Sequence, residues 1–358
     1  MNTKKKRVVV AMSGGVDSST TACLLVKQGY EVIGITMKLF DEKIGVESSC
    51  CGISGVDDAR GVCNKLDIPY YVVNLKEEFD KEVIGYFCKE YEHARTPNPC
   101  IACNEKMKWG VLLKKALTFE ADFIATGHYA RVEYDSEKKR YLLKKGIDQK
   151  KQQSYFLYTL TQDQLRYTLF PLGGYTKDEV RNIAREFGLK VHNKAGSQEI
   201  CFVPDDDYKT FLKNKIPSIE KKGSIVDIEG KKIGTHKGIA FYTIGQRKGL
   251  GISAPNPLYV VNIDSDKNLI TVGEEKELYS DSLRAVSLNW ISIENLETPR
   301  KVKANIRYKH EPIEATIYPL RNNDVKVIFN EKERAVTPGQ AVVFYDGDVV
   351  LGGGVIER

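Results

Sequence analysis

The segment Val8-Val9-Val10-Ala11-Met12-Ser13-Gly14-Gly15-Val16-Asp17-Ser18-Ser19 decides the fold. Its apolar, β-branched opening reads as a buried strand, and the pattern over 18–28, ended by Gly29, reads as a helix. Between them, two adjacent glycines let the backbone turn its N–H groups inward and approach an anion closely. Ser13 and Ser18 add hydroxyl donors, and the helix N-terminus supplies favourable dipole charge. The segment lacks a Gly-Lys-Ser/Thr ending, which excludes the loop that cradles β- and γ-phosphates for phosphoryl transfer. A Gly-Gly turn followed by a Ser/Asp helix cap would explain the same residues without a ligand. The specific string Ser-Gly-Gly-Val-Asp-Ser at a strand-to-helix joint favours the phosphate site.

Outward from this joint, short apolar runs alternate with helical patterns. Strands are expected over 31–37, 70–75 and 123–126, and helices over 56–66, 77–93, 104–117, 161–167 and 176–187. Strands alternating with helices require crossover connections, so this part is α/β, a parallel sheet with helices on both faces. Beyond about residue 213 the texture changes to short β-rich runs separated by polar turns. Runs over 258–263, 269–272, 301–308, 313–318 and 325–329 lead to a hairpin of 341–345 and 349–356 around Asp346-Gly347. The expected division is a catalytic domain over 1–213, a small central β-rich domain over 214–280 and a C-terminal β-barrel over 281–358.

A chain of 358 residues is too long for one compact core, in line with about two or three domains. An apolar share of 42% and a charged share of 28% are those of an ordinary globular protein. The net charge of +6 suits an acidic partner. No apolar run approaches the roughly 20 residues of a membrane span, and the run after the basic start is too short for a signal-peptide core. A cytoplasmic protein without a membrane partner is expected. Cys23, Cys50, Cys51, Cys63, Cys88, Cys100, Cys103 and Cys201 leave the rest of the chain without cysteine, which is unlike a secreted disulfide scaffold. In a reducing compartment they point to thiol chemistry, metal binding or small core residues.

Arg95-Thr96-Pro97-Asn98-Pro99-Cys100-Ile101-Ala102-Cys103-Asn104 is the second informative segment. Its prolines stiffen a loop that enters a helix, with Cys103 at the helix start, where a thiol's pKa falls. Cys201 lies about a hundred residues later in Ser197-Gln198-Glu199-Ile200-Cys201-Phe202-Val203. Cys100, Cys103 and Cys201 form a three-thiolate set able to hold a [4Fe–4S] cluster with one iron open; a C-x-x-C with a remote third cysteine also suits zinc. The adjacent Cys50-Cys51 pair reads as structural or incidental, and Cys23, Cys63 and Cys88 fall in helical patterns as small core residues. His128 follows a buried strand at its C-terminal end, where open α/β sheets place ligands. Lys138-Lys139-Arg140, Lys144-Lys145 and Lys150-Lys151 surround an expected hairpin. Gln246-Arg247-Lys248, Arg300-Lys301 and Arg307-Tyr308-Lys309-His310 lie in the β half. Such residues contact phosphates, and Tyr308 can stack on a base. Taken alone, each run reads as a solvated face.

The Ser13-to-Ser18 string resembles the PP-loop of the ATP pyrophosphatases. That likeness implies ATP as cofactor, pyrophosphate departing in this loop, AMP left on the substrate, and Mg²⁺ held with the help of Asp17. With Thr96-Pro97-Asn98-Pro99, Cys103-Asn104 and Ile200-Cys201-Phe202, the chain resembles the tRNA-specific 2-thiouridylase (MnmA) family. Ala125-Thr126-Gly127-His128-Tyr129, Gln153-Ser154-Tyr155-Phe156-Leu157 and Phe170-Pro171-Leu172-Gly173 extend the resemblance. Tyr242-Thr243-Ile244-Gly245-Gln246-Arg247 and Thr337-Pro338-Gly339-Gln340 carry it across essentially the whole chain.

The resemblance implies replacement of the 2-oxygen of the wobble uridine of certain tRNAs by sulfur, the oxygen being adenylated first. Cys201 would carry a persulfide delivered by a cysteine desulfurase or a sulfur-relay protein. Cys103 would be the second thiol, freeing the sulfide or closing a disulfide with Cys201. Ala11, Met12, Ser13, Gly14, Gly15, Val16, Asp17, Ser18, Met37 and Gly127 would contact ATP. Asn98, Pro99 and Cys100 would lie against the target base; His128, Lys151, Gln152, Gln153, Arg307, Tyr308 and Gln340 would touch tRNA. A monomer is expected. Two departures stand out: the family pattern has Asp where this chain has Cys100, and Lys-Asp-Gln where it has Lys151-Gln152-Gln153. The first leaves a cluster and a persulfide as alternative sulfur carriers. Two other readings also stay open: another PP-loop adenylating enzyme acting on a small molecule, and a non-catalytic tRNA-binding protein.

Overall fold

The structure is a computed structural model that describes residues 5–40, 53–194 and 200–357. The chain divides into two compact units. The first comprises the chain through Ile84 with Cys100–Asp206 and Asp348–Val350; the second comprises Gly85–Pro99, Asp207–Gly347 and the chain from Leu351.

The first unit is built on a five-stranded parallel sheet in the order Tyr70–Asn74, Glu31–Lys38, Arg7–Ala11, Phe123–Ala125, Thr168–Leu169. Val8, Val9 and Val10 are 0% exposed, as a central strand covered on both faces demands. Its first helix, Val16–Lys27, packs Ala22, Cys23, Leu24 and Leu25 into one core with Ala59, Val62 and Cys63 of Ile53–Lys65 and Val180 and Ala184 of Lys177–Glu186. Thr161 and Thr176 start the short helix Gln162–Arg166 and the helix Lys177–Glu186 with reciprocal capping boxes. Burial pushes the thiols of Cys23 and Cys63 up to about 12, which makes them inert core residues as expected. The lysine-rich segment forms the expected hairpin, Ala130–Asp135 against Arg140–Lys145.

The second unit holds a four-stranded sheet of Gly223–Val226, Lys232–His236, Tyr259–Asp264 and Leu269–Gly273. It also holds a six-stranded barrel in the order Tyr279–Trp290, Val325–Arg334, Ile313–Pro319, Arg300–Asn305, Ala341–Asp346, Val349–Glu357, closed by pairing of first strand with last. The strand Tyr279–Trp290 is absent from the sequence expectations. Its alternation is confined to Ser282-Leu283-Arg284-Ala285, and a register shift interrupts each of its ladders, with Val325–Arg334 between Ser280 and Ser282 and with Val349–Glu357 between Val286 and Asn289. Among the described residues no helix is long and apolar enough to cross a membrane.

Candidate functional site

The strand Arg7–Ala11 lies between Glu31–Lys38 and Phe123–Ala125, so the chain order reverses there, and the crevice at the carboxyl ends is where such sheets bind ligands. Both the loop of Ser13 to Ser18 and the segment Thr126 to His128 leave the sheet at that point. Met12 continues the strand, its N–H reaching Ile35 O at 2.8 Å while its own carbonyl accepts from Thr36 Oγ1 at 2.8 Å. Met37, on the neighbouring strand Glu31–Lys38, is buried. Gly14 turns at φ +70°, and a Cβ there would lie 2.2 Å from Gly55 O, so no other residue fits. Ser18 Oγ accepts from Ser13 N at 3.1 Å and bonds Gly15 O at 3.2 Å, drawing the loop into a ring. Gly15 caps the helix without a side chain, leaving the first N–H groups to whatever occupies the loop.

Gly127 presses against this helix: a Cβ there would stand 2.9 Å from both Asp17 Cβ and Ser18 N. Asp17 has partners that the sequence reading did not single out. Lys177 Nζ lies 2.6 Å from Oδ1 and 2.8 Å from Oδ2, and the Tyr129 hydroxyl donates to Oδ1 at 2.7 Å. Burial and the Asp17 charge raise the Tyr129 pKa, so the phenol stays a donor. Their signal in the sequence was position alone: Tyr129 closes the Ala125-to-Tyr129 motif, and Lys177 follows the cap of a later helix. The oxygens assigned to Mg²⁺ thus face an ammonium group, a poor arrangement for a hard cation.

His128 is buried, and both ring nitrogens have partners within the unit. Burial, then the Lys108 ammonium, hold its pKa well below the ordinary histidine value. The neutral ring therefore accepts from Lys108 Nζ at 3.5 Å through Nε2 and donates from Nδ1 to Thr126 Oγ1 at 2.6 Å. Lys108 also bonds Asn104 Oδ1 at 2.8 Å, tying this network to the residue after Cys103. Gln153 brackets Tyr129, its side chain accepting from Tyr129 N at 3.1 Å; Gln152 Oε1 bonds the Ser154 hydroxyl at 2.7 Å, and Lys151 is exposed.

The helix that carries the paired cysteines begins earlier than expected, at Pro99–Ala102, because proline is at home in a first turn. Cys100 occupies that turn, and Cys103 opens the following π-helical stretch Cys103–Leu112. Cys100 is exposed; Cys103 and Cys201 are half-buried. Among the described residues, no group of three or more His, Cys, Asp or Glu side chains is placed to hold a metal ion. Cys50, Cys51 and Ser197 to Glu199 lie outside the described residues.

In the second unit Asn98 is half-buried and Pro99 buried. Gln340 Nε2 donates to Thr96 O at 2.9 Å, and Thr96 N donates to Pro338 O at 2.9 Å, joining two motifs far apart in the chain. Arg307 Nη2 donates to Arg334 O at 2.9 Å and pairs with the buried Glu333 at 3.2 Å; Tyr308 is half-buried beside it.

This fold and loop define a class: residues 6–205 match the tRNA methyl transferase HUP domain family. Residues 209–274 match its PRC-barrel domain, and 280–356 match the aminomethyltransferase beta-barrel domain. The tRNA-specific 2-thiouridylase MnmA of Acetivibrio thermocellus is 54% identical over 99% of this chain and 99% of its own. Its counterpart in Halothermothrix orenii is 55% identical over 98% of this chain and 99% of its own. That of Clostridioides difficile is 51% identical over 99% of this chain and 98% of its own. The chain belongs to the tRNA-specific 2-thiouridylase family.

Proposed function

We propose that the protein is a tRNA-uridine 2-sulfurtransferase that uses ATP to exchange the 2-oxygen of the wobble uridine for sulfur. The observation that carries this reading is the glycine-built anion loop at the sheet's switch point, in a chain whose full length matches 2-thiouridylases.

The uridine 2-oxygen attacks the α-phosphorus of ATP, the bond to pyrophosphate breaks, and pyrophosphate leaves through the loop's N–H groups. The oxygen is now part of AMP, a good leaving group. The terminal sulfur of a Cys201 persulfide attacks C2 and expels AMP. Cys103 thiolate then attacks Cys201 Sγ, so the S–S bond breaks and its electrons leave on the sulfur of 2-thiouridine. A Cys103–Cys201 disulfide remains, which an external thiol reduces. The persulfide is supplied by a cysteine desulfurase or relay protein. Arg307, Tyr308, Lys151 and the hairpin lysines offer the cationic and aromatic groups that hold tRNA. Asp17 faces Lys177, an arrangement that does not fit Mg²⁺, and no step is routed through a metal ion or a [4Fe–4S] cluster.

A single-turnover reaction with tRNA, ATP and a sulfur donor, read as 2-thiouridine by nucleoside mass spectrometry, tests the reading. Product is expected with the native chain and lost with Cys201→Ala. Undiminished product from Cys201→Ala would refute the thiol route. ATP turnover indifferent to RNA would favour a small-molecule adenylating enzyme. Anaerobic purification with iron and sulfide assay separates the two sulfur carriers: colourless, iron-free and active protein supports the persulfide.

A further inference from the structure

Asp17 is the one acidic residue of the phosphate loop, and the structure commits it to a cation of the protein itself. Lys177 Nζ sits within 2.8 Å of both carboxylate oxygens, and the Tyr129 hydroxyl takes a further lone pair of Oδ1. Each partner is fixed from behind. Lys177 is the first residue of Lys177–Glu186, its backbone N–H donates to Asp148 Oδ2 at 2.9 Å, and its ammonium lies 5.8 Å from the Tyr129 ring centre. The Lys177 side chain is only 14% exposed, so its long stem is largely immobilised before any ligand arrives. Asp17 is wedged against Gly127, where even a methyl group would collide with it. A metal ion on this carboxylate would need to displace the ammonium or sit beside it against its charge.

We propose that Lys177 is the fixed cation of the loop, binding the phosphates of the nucleotide, and that Asp17 is a positioning residue that acts through Lys177 rather than as a metal ligand. This rests on the reading of the loop as an ATP site. An aimed ammonium group beside backbone N–H donors gives a charge-assisted contact to a phosphate oxygen, and its aim requires Asp17 and Tyr129. Residues from three separate segments of the chain thereby build one anion site.

The test is equilibrium binding of ATP to the full chain, in Mg²⁺ and again in EDTA, for wild type, Lys177→Met, Lys177→Arg, Asp17→Asn and the Lys177→Met/Asp17→Asn double variant. Lys177→Met should weaken ATP by about 10-fold to 100-fold. Lys177→Arg should restore most of that loss. Asp17→Asn should weaken ATP in EDTA as well as in Mg²⁺, and the double variant should be no worse than Lys177→Met, because the two act as one unit. Unchanged affinity in Lys177→Met overturns the proposal. An Asp17→Asn loss confined to Mg²⁺, additive with Lys177→Met, overturns it in favour of a metal ligand. Absence of ATP binding by the wild-type chain sinks the reading of the loop, a result separate from either.

Discussion

The two units spell their important residues differently. In the first, Ser13 to Ser18 fill one strand-to-helix turn, with Ser13, Gly15 and Ser18 bonded to one another and Asp17 alone reaching out to Tyr129 and Lys177. In the second, Thr96 meets Pro338 and Gln340 across most of the length of the chain, and the barrel closes first strand on last. Fold class accounts for the contrast. A parallel sheet opens its strand ends on one edge, so a single local loop makes most of a site. A barrel assembles its surface from strands that are distant in sequence, so no local string describes it. The local arrangement concentrates its risk in a few atoms, whereas the distributed one shares it.

The largest effect is expected where that concentration is highest. Gly14→Ala would force a side chain into a left-handed turn and into Gly55 O 2.2 Å away, which is backbone and does not yield. It should cost about 3 kcal/mol and reduce thiolation at least about 100-fold. Gly15→Ala, with φ −88° and only Ser13 Oγ nearby at 3.5 Å, should cost no more than about 1 kcal/mol. Denaturant titrations of the two variants compare them directly. Equal losses would mean that the turn's handedness is not what the loop depends on.

In the second unit, Gly339→Ala brings φ +90° together with a contact of 2.9 Å to Thr96 N, and about 2 kcal/mol of destabilisation is expected. Gly347→Ala shares the left-handed backbone, φ +61°, but meets nothing within 4 Å, so about 1 kcal/mol is expected. The difference between them measures the junction of the Thr96 and Gln340 segments. If both variants cost the same, that junction contributes nothing, and the distributed surface is weaker than its bonds suggest.

The same contrast explains what could be read from the sequence. The sheet, its helices and the phosphate loop were legible because strand and helix periodicities are local and the glycines have one use. The start of the cysteine helix was misjudged: Pro97 and Pro99 both looked like loop, yet Pro99 is a first-turn proline. Tyr279–Trp290 was missed because its alternation is clean only over Ser282-Leu283-Arg284-Ala285 and register shifts interrupt it on either side. Lys177 and Tyr129 were missed for another reason. A lysine after a threonine cap looks like any solvated helix start, and only the fold brings it to Asp17. His128 is expected to touch tRNA; the sequence did not show that both its nitrogens have partners inside the first unit, Lys108 and Thr126.

That histidine supplies the subtlest comparison, since the second unit has a counterpart in His236. Burial lowers the pKa of both from the ordinary 6.5, and the Lys108 charge lowers that of His128 further. A depressed histidine is neutral in the folded chain while the unfolded chain still takes up a proton below pH 6.5. Stability from each group is therefore complete above pH 6.5 and is lost as pH falls toward the folded-state value. For the buried His128 the slope approaches about 1.4 kcal/mol per pH unit below that point. Urea unfolding at pH 7.5, 6.5 and 5.5 should thus show a falling midpoint, and His128→Gln should flatten it. Hydrogen exchange resolves the units: Phe123–Ala125 should lose protection with acid more steeply than Gly223–Val226. A pH-independent midpoint, or a slope that survives His128→Gln and His236→Gln together, would show that neither ring is held neutral by its surroundings.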